Sequence, residues 1–438
     1  MSPSMAGIAV LVTMLGLLGA GTPIAFALGF VAVAALVLSE GFSAIGGLSE
    51  TFFAGLANFG MVSVPMFILM GAAVASSPAG RDLYEALDRW LYRVPGGMVM
   101  SNIGACALFA ALSGSSPATC AAIGKMGIPE MTKRGYPDSL AAGSIAAGGT
   151  LGILIPPSVT MIVYGISTET SIGRLFLAGL LPGLMLTVLF MAWALIDCWR
   201  KGIALGDVTR RYSLAERLEN LPRVLPFLLI VAAILFVLYG GVATPSEAAG
   251  TGALICILLV AIIYRMWRAG PMIAIFRDTI REAVMIMLII GAAELFAFAL
   301  SSLFITQTVA GAIADLEVNR WILLIVIQLF LLVAGFFLPP VAIILMSAPI
   351  LMPILDSAGF DPYWFAVILT INMEIGLITP PVGLNLYVIN GIAPQISLRD
   401  ILYGSLPFVG MMVLGMVLLS IFPQIALFLP DLIMGPAL

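Results

Sequence analysis

Residues 127 to 157 read GIPEMTKRGYPDSLAAGSIAAGGTLGILIPP, and residues 351 to 381 read LMPILDSAGFDPYWFAVILTINMEIGLITPP. The two align without gaps at a constant offset of 224, placing Pro129 on Pro353, Gly135 on Gly359, Ala142 on Ala366, Gly152 on Gly376, Pro156 on Pro380 and Pro157 on Pro381. Three of these six identities are prolines, which a shared apolar composition does not produce. Thr22-Pro23 with Thr244-Pro245, and Gly71-Ala72-Ala73 with Gly291-Ala292-Ala293, extend the match at slightly smaller offsets. The chain therefore reads as a duplication.

The repeat lies in a membrane setting. Of 438 residues 61% are hydrophobic and 10% charged, and the mean hydropathy is +1.15, whereas a soluble domain carries roughly 25% charged residues. The first basic residue is Arg81, so the N-terminus lacks the basic region of a cleavable signal peptide. Segments apolar enough to cross roughly 30 Å of hydrocarbon fall near 5–20, 24–38, 52–77, 138–166, 174–199, 222–239, 245–264, 282–304, 363–390 and 401–428. Two more, 98–126 and 321–355, are interrupted by Ser113 to Pro117 and by Leu338-Pro339-Pro340, and read as re-entrant hairpins. With residue 1 outside, 17 of the 19 Lys and Arg residues fall on the inner side, all but Arg174 and Arg320. That is the positive-inside bias, and counting either hairpin as a crossing destroys it. Each half then holds five crossings and one hairpin, and an odd number of crossings inverts the second half. The fold class expected is an all-α polytopic membrane protein with two inverted repeats, about ten transmembrane helices and two re-entrant helical hairpins. Residues 80–93 and 211–221 carry leucines at helical spacing between charges, with Ser213 and Glu216 as a capping box, and read as amphipathic helices on the cytoplasmic face.

Several chemistries are excluded at once. Histidine is absent, which removes the commonest general base and metal ligand. Cys106, Cys120, Cys198 and Cys256 lie in apolar runs without metal-like spacing and read as small buried hydrophobes. No phosphate-binding loop of the G-x-x-x-x-G-K-[ST] type occurs, so nothing in the sequence supports hydrolysis of ATP. No enzyme and no nucleic-acid partner is expected.

What remains is broken helix inside the bilayer, tolerated only where protein or a water-filled cavity surrounds it. Pro156-Pro157 and Pro380-Pro381 each remove two N–H donors and release carbonyls one turn earlier. Carbonyls beside the hydroxyls of Ser113, Ser115, Ser116 and Thr379 suit a hard cation such as Na+. The second arms of the hairpins, starting near Pro117 and Val341, present the positive end of a helix dipole to an anion. Discontinuous helices at matching places of two inverted repeats point to the substrate and ion sites of a secondary transporter. Glu294, Glu374, Asn372, Asn385, Asn390 and Asn58 are the remaining intramembrane polar residues, and such groups are functional candidates by default.

The blocks SGSSPATCAAIGKMGIPEMTKRGYPDSLAAGSIAAGGTLGILIPPSVTMIVYG (113–165), GFFLPPVAIILMSAPILMPIL (335–355) and INMEIGLITPPVGLNLYVINGI (371–392) resemble the large membrane subunit of tripartite ATP-independent periplasmic (TRAP) transporters. The resemblance spans essentially the whole chain. It implies a bacterial inner-membrane, Na+-driven importer of an organic acid anion, a dicarboxylate, keto acid or sugar acid, with no organic cofactor. It also implies two separate partner chains, a small four-helix membrane subunit and a periplasmic substrate-binding protein, and an ion-transporter-superfamily elevator architecture in which hairpins and broken helices move as one body. Carried over by motif, one sodium site comprises Ser113, Ser115 and Ser116 with carbonyls of Gly152, Ile155 and Pro157. The other comprises Gly335, Gly376, Thr379 and Val382. The substrate carboxylate lies between the tips, against Gly114, Pro117, Pro339 and Pro340, with Glu294 and Asn385 as further candidates. Leu338-Pro339-Pro340 offers no side-chain oxygen, so the second cation rests on backbone carbonyls.

The implied division is scaffold helices over 1–77, a cytoplasmic arm over 78–97, a first transport region over 98–173, a scaffold helix and linker over 174–221, scaffold helices and arm over 222–320, a second transport region over 321–400, and a C-terminal transmembrane helix over 401–438. The rival reading is an anion channel or conducting pore without ion coupling, which calls for a ring of lining charges that the sequence lacks.

Overall fold

A computed structural model describes residues 2–203, 212–314 and 318–436. Among these residues every regular element is a helix. The proline pairs break the chain where the sequence places them. Asp138–Thr150 runs into a short 3-10 turn, Leu151–Ile153, and helix resumes at Val159–Ser167. In the second repeat Pro362–Leu377 ends before Pro380-Pro381 and Leu384–Ile392 follows. Both proline pairs contain a cis peptide bond.

The hairpins are Gly97–Ser113 with Ser116–Lys133, and Arg320–Gly335 with Pro340–Ser357. The first turn is narrower than the expected Ser113–Pro117: only Gly114 and Ser115 lie outside helix, because Ser116 and Pro117 form the start of the second arm. A proline in the first helical turn loses a donor that had no intrahelical partner anyway. Each repeat also reaches into the other. Val159–Ser167 packs on the second-hairpin arm Pro340–Ser357, and Leu384–Ile392 packs on the first-hairpin arm Ser116–Lys133.

Among the described residues six helices, the second-hairpin arm Pro340–Ser357 included, are long and apolar enough to cross a membrane, or seven when the bent pair Phe42–Leu56 and Phe59–Ala75 is taken as one span. Large side chains such as Leu38, Phe53, Trp199 and Phe236 point outward, as lipid requires and water does not. Two expectations change here. The third crossing starts earlier and bends by 57° at its break; Asn58 sits in that break and its side chain accepts from the Gly60 N–H, so it caps a helix. The segment over 401–428 is two helices, Leu398–Ile421 and Gln424–Met434, with Pro423 between them.

On the charged face the arm helix Ala79–Leu91 forms as expected. Its neighbour is the single turn Leu214–Leu218, with the Ser213–Glu216 capping box formed; Arg211, where the expected helix begins, lies outside the described residues. Arg89 pairs with Glu219 at 2.6 Å, Asn220 donates to Glu85 at 3.1 Å, Tyr264 donates to Asp82 at 2.9 Å, and Arg134 at the end of the first hairpin pairs with Asp88 at 3.3 Å. The arm thus ties the first hairpin to the linker between the repeats. Burial raises the Asp82 carboxyl above the usual range, opposed by the Tyr264 hydrogen bond and the Arg223 charge.

Candidate functional site

The first tip is built around a residue that only glycine satisfies. Gly114 has φ +59°, and a β-carbon there would lie 2.8 Å from the Pro157 carbonyl oxygen. The left-handed conformation ends the first arm and presses the turn onto the first proline break. Gly152 completes the fit: a β-carbon would meet the Ser115 carbonyl oxygen at 2.6 Å. Ser113, Gly114, Ser115, Ser116, Gly152 and Pro157, separated by up to 44 positions in sequence, therefore meet. The Ile155 side chain turns away from them, against Gly183 of the crossing Ile172–Arg200.

Oxygens converge at this tip. The Ser113 and Thr119 hydroxyls are 2.8 Å apart, and both approach the Ser115 carbonyl, at 3.4 and 2.9 Å. Thr119 is fully buried. The sequence reading missed it, although a hydroxyl four residues after Ser115 stands one helical turn beyond it. Two hydroxyls and a carbonyl within hydrogen-bond range form a compact neutral oxygen cluster of the kind a hard monovalent cation takes. The second arm offers the amides of Ser116 and Ala118 to an anion, since the next amide, Thr119, is already bonded to Ser115.

The second tip repeats the geometry with fewer side-chain oxygens. A β-carbon on Gly376 would lie 2.5 Å from the Gly335 carbonyl oxygen, so the second break closes on its own hairpin as the first does. The Thr379 hydroxyl donates to the Ile375 carbonyl at 2.7 Å, which leaves its lone pairs for another partner. Val382 is 41% exposed and contributes no side-chain oxygen. Pro339 and Pro340 start the second arm, and the Ala342 and Ile343 amides both bond the Pro339 carbonyl, so Val341 holds the one open amide of that first turn. The Ser405 hydroxyl of the helix Leu398–Ile421 reaches the Ile378 carbonyl at 3.3 Å, and Asn372 donates to the Gln328 side chain at 2.6 Å, bracing the broken helix against its hairpin.

The further candidates separate. Asn385 is 0% exposed, on a helix packed against the first-hairpin arm, and neither its Oδ1 nor its Nδ2 has a hydrogen-bond partner among the described residues. Glu294 packs against Gly55, on helices that belong to neither hairpin nor break. Glu374, one of the intramembrane carboxylates, accepts a hydrogen bond from the Ser116 hydroxyl, a contact between repeats that the sequence does not announce.

Residues 11–425 match the family described as tripartite ATP-independent periplasmic transporter, DctM component. The C4-dicarboxylate TRAP transporter large permease protein DctM of Pseudomonas aeruginosa is 38% identical over 374 residues, covering 85% of this chain and 87% of the relative. The ectoine TRAP transporter large permease protein TeaC of Halomonas elongata is 32% identical, covering 96% and 98%. Among solved structures the Alcanivorax borkumensis YdaH transporter, described as having an unusual topology, superposes with a TM-score of 0.66 at 17% identity over 89% of this chain and 90% of that one, a likeness of fold.

Proposed function

The chain belongs to the DctM component family of tripartite ATP-independent periplasmic transporters, as a multi-pass protein of the inner membrane, and on that premise we propose that it imports an organic acid anion by Na+ symport. The observation that carries the reading is the paired closure of hairpin on break: Gly152 against Ser115 and Gly376 against Gly335. Each closure gathers oxygens of two separate segments, so a cation bound there ties a hairpin tip to a proline break. Substrate between the tips and ions behind them then stabilise one closed arrangement, and coupling follows because each ligand favours the state the other needs.

The cargo named for the Pseudomonas relative is a C4-dicarboxylate and that for the Halomonas relative is ectoine. Both carry a carboxylate, which fits the amides at the start of the second arms. The class extends to dicarboxylates, keto acids and sugar acids. Delivery falls to a periplasmic binding protein, with a small four-helix membrane subunit completing the assembly. The elevator movement takes the interlocked hairpins and broken helices as its rigid body, because the repeats reach into each other there.

Proteoliposomes holding this chain and its small subunit, supplied with the binding protein and a labelled carboxylate, test the reading. Uptake should follow an inward Na+ gradient and vanish when Na+ is replaced by K+. Ser116→Ala and Thr379→Val should each raise the Na+ concentration for half-maximal uptake. Passive, gradient-independent flux would overturn symport.

A further inference from the structure

We propose that Glu374 is the positioning residue of the first cation site, holding the Ser116 hydroxyl so that its lone pairs face the tip; this rests on the Na+ reading above and deepens it. Glu374 belongs to the second repeat and is 1% exposed; Ser116 belongs to the first and is 0% exposed. The hydroxyl donates its one proton to Oε1 of the carboxyl group. A serine hydroxyl has one donor and two acceptor lone pairs, so committing the proton to Glu374 directs the lone pairs away from it. The other carboxyl oxygen, Oε2, has no hydrogen-bond partner among the described residues. One side chain of the second repeat thus holds the first hairpin at Ser116, whose α-carbon lies against Gly152 of the first break, the two segments whose contact makes the site.

The duplication does not supply this device twice. At the repeat offset of 224, Ser116 corresponds to Pro340 and Glu374 to Thr150. Pro340 has no hydroxyl, and Thr150 donates to the Ala147 carbonyl of its own helix at 2.5 Å. The first site therefore carries a carboxyl buttress that the second lacks, and the two ions enter unlike environments. Because the buttress comes from the broken helix of the second repeat, occupation of the first site senses the position of that helix.

The test is a Na+ titration of uptake in the full assembly for wild type, Glu374→Leu, Ser116→Ala, Thr379→Val and the double variants. Glu374→Leu keeps a similar volume but removes the acceptor oxygen. It should raise the half-saturating Na+ concentration by about tenfold, the scale of one hydrogen bond, with the maximal rate at saturating Na+ retained. In a Ser116→Ala background it should add little further, because the carboxyl group acts through that hydroxyl, whereas with Thr379→Val the effects should multiply. A Glu374→Leu protein with lower yield or maximal rate but an unchanged Na+ titration overturns the proposal, as does independence from Ser116→Ala. Wild-type uptake that ignores Na+ overturns the symport reading itself, which is a different result.

Discussion

Gly376 lies so close to Gly335 that a β-carbon on the first would sit 2.5 Å from the carbonyl oxygen of the second, while a β-carbon on Gly335 would find its nearest neighbour, the Gly376 α-carbon, at 3.7 Å. The contact is one-sided. Gly376→Ala forces backbone apart in a packed site, which costs about 1–3 kcal/mol, and it should abolish uptake. Gly335→Ala meets ordinary van der Waals distances and should keep uptake within about twofold, since its role here rests on a carbonyl the substitution leaves in place. Uptake and melting temperature of the two variants in detergent check the contrast.

Asn385 gives a prediction of opposite sign for stability and activity. A buried amide with no partner weakens the folded state by about 1–3 kcal/mol, and leucine occupies similar volume. Asn385→Leu should hold or raise the melting temperature while uptake falls sharply. A variant that melts lower and still transports would show that the amide serves packing instead.

Thr119 adds a member to the first tip that hydropathy does not single out. Thr119→Val removes the hydroxyl that meets Ser113 and the Ser115 carbonyl with little change in shape. It should cost about 1 kcal/mol of stability and shift the Na+ titration in the same direction as Ser116→Ala. An unchanged titration would take Thr119 out of the site.

Asp82 carries a pH dependence on the cytoplasmic face. Burial raises its carboxyl above the usual range, so the fold favours the protonated form. That contribution is complete below the unfolded value of about 3.9 and is lost as pH rises through the higher folded value. Asp82→Asn is neutral throughout. Its melting temperature relative to wild type should therefore be more favourable at about pH 7 than at about pH 4, and a difference constant across that window would contradict the raised value.

The sequence carried much of this. Pro156-Pro157 and Pro380-Pro381 are strong punctuation, and both break helix as read. The capping box at Ser213 and Glu216 is a local pattern with a local cause, and it formed. The tip glycines were visible as residues but not as contacts, because close approach depends on which segments face each other. The bend at Ala57 and Asn58 went unread since apolar composition is the same before and after it. Ser116 with Glu374, 258 positions apart, lay beyond any local pattern and also beyond the repeat, whose symmetry would have paired Pro340 with Thr150.

The exchange of helices between repeats bears on how the chain is made. When synthesis has passed Ser167, the helix Val159–Ser167 still lacks Pro340–Ser357, which the ribosome has yet to assemble. Leu384–Ile392, emerging near the end, must find an arm that has waited since residue 133. The first half is thus inserted into the bilayer long before it can close, and either half expressed alone would be left with an unfilled groove. Co-expression of the halves as two polypeptides should restore what neither achieves singly.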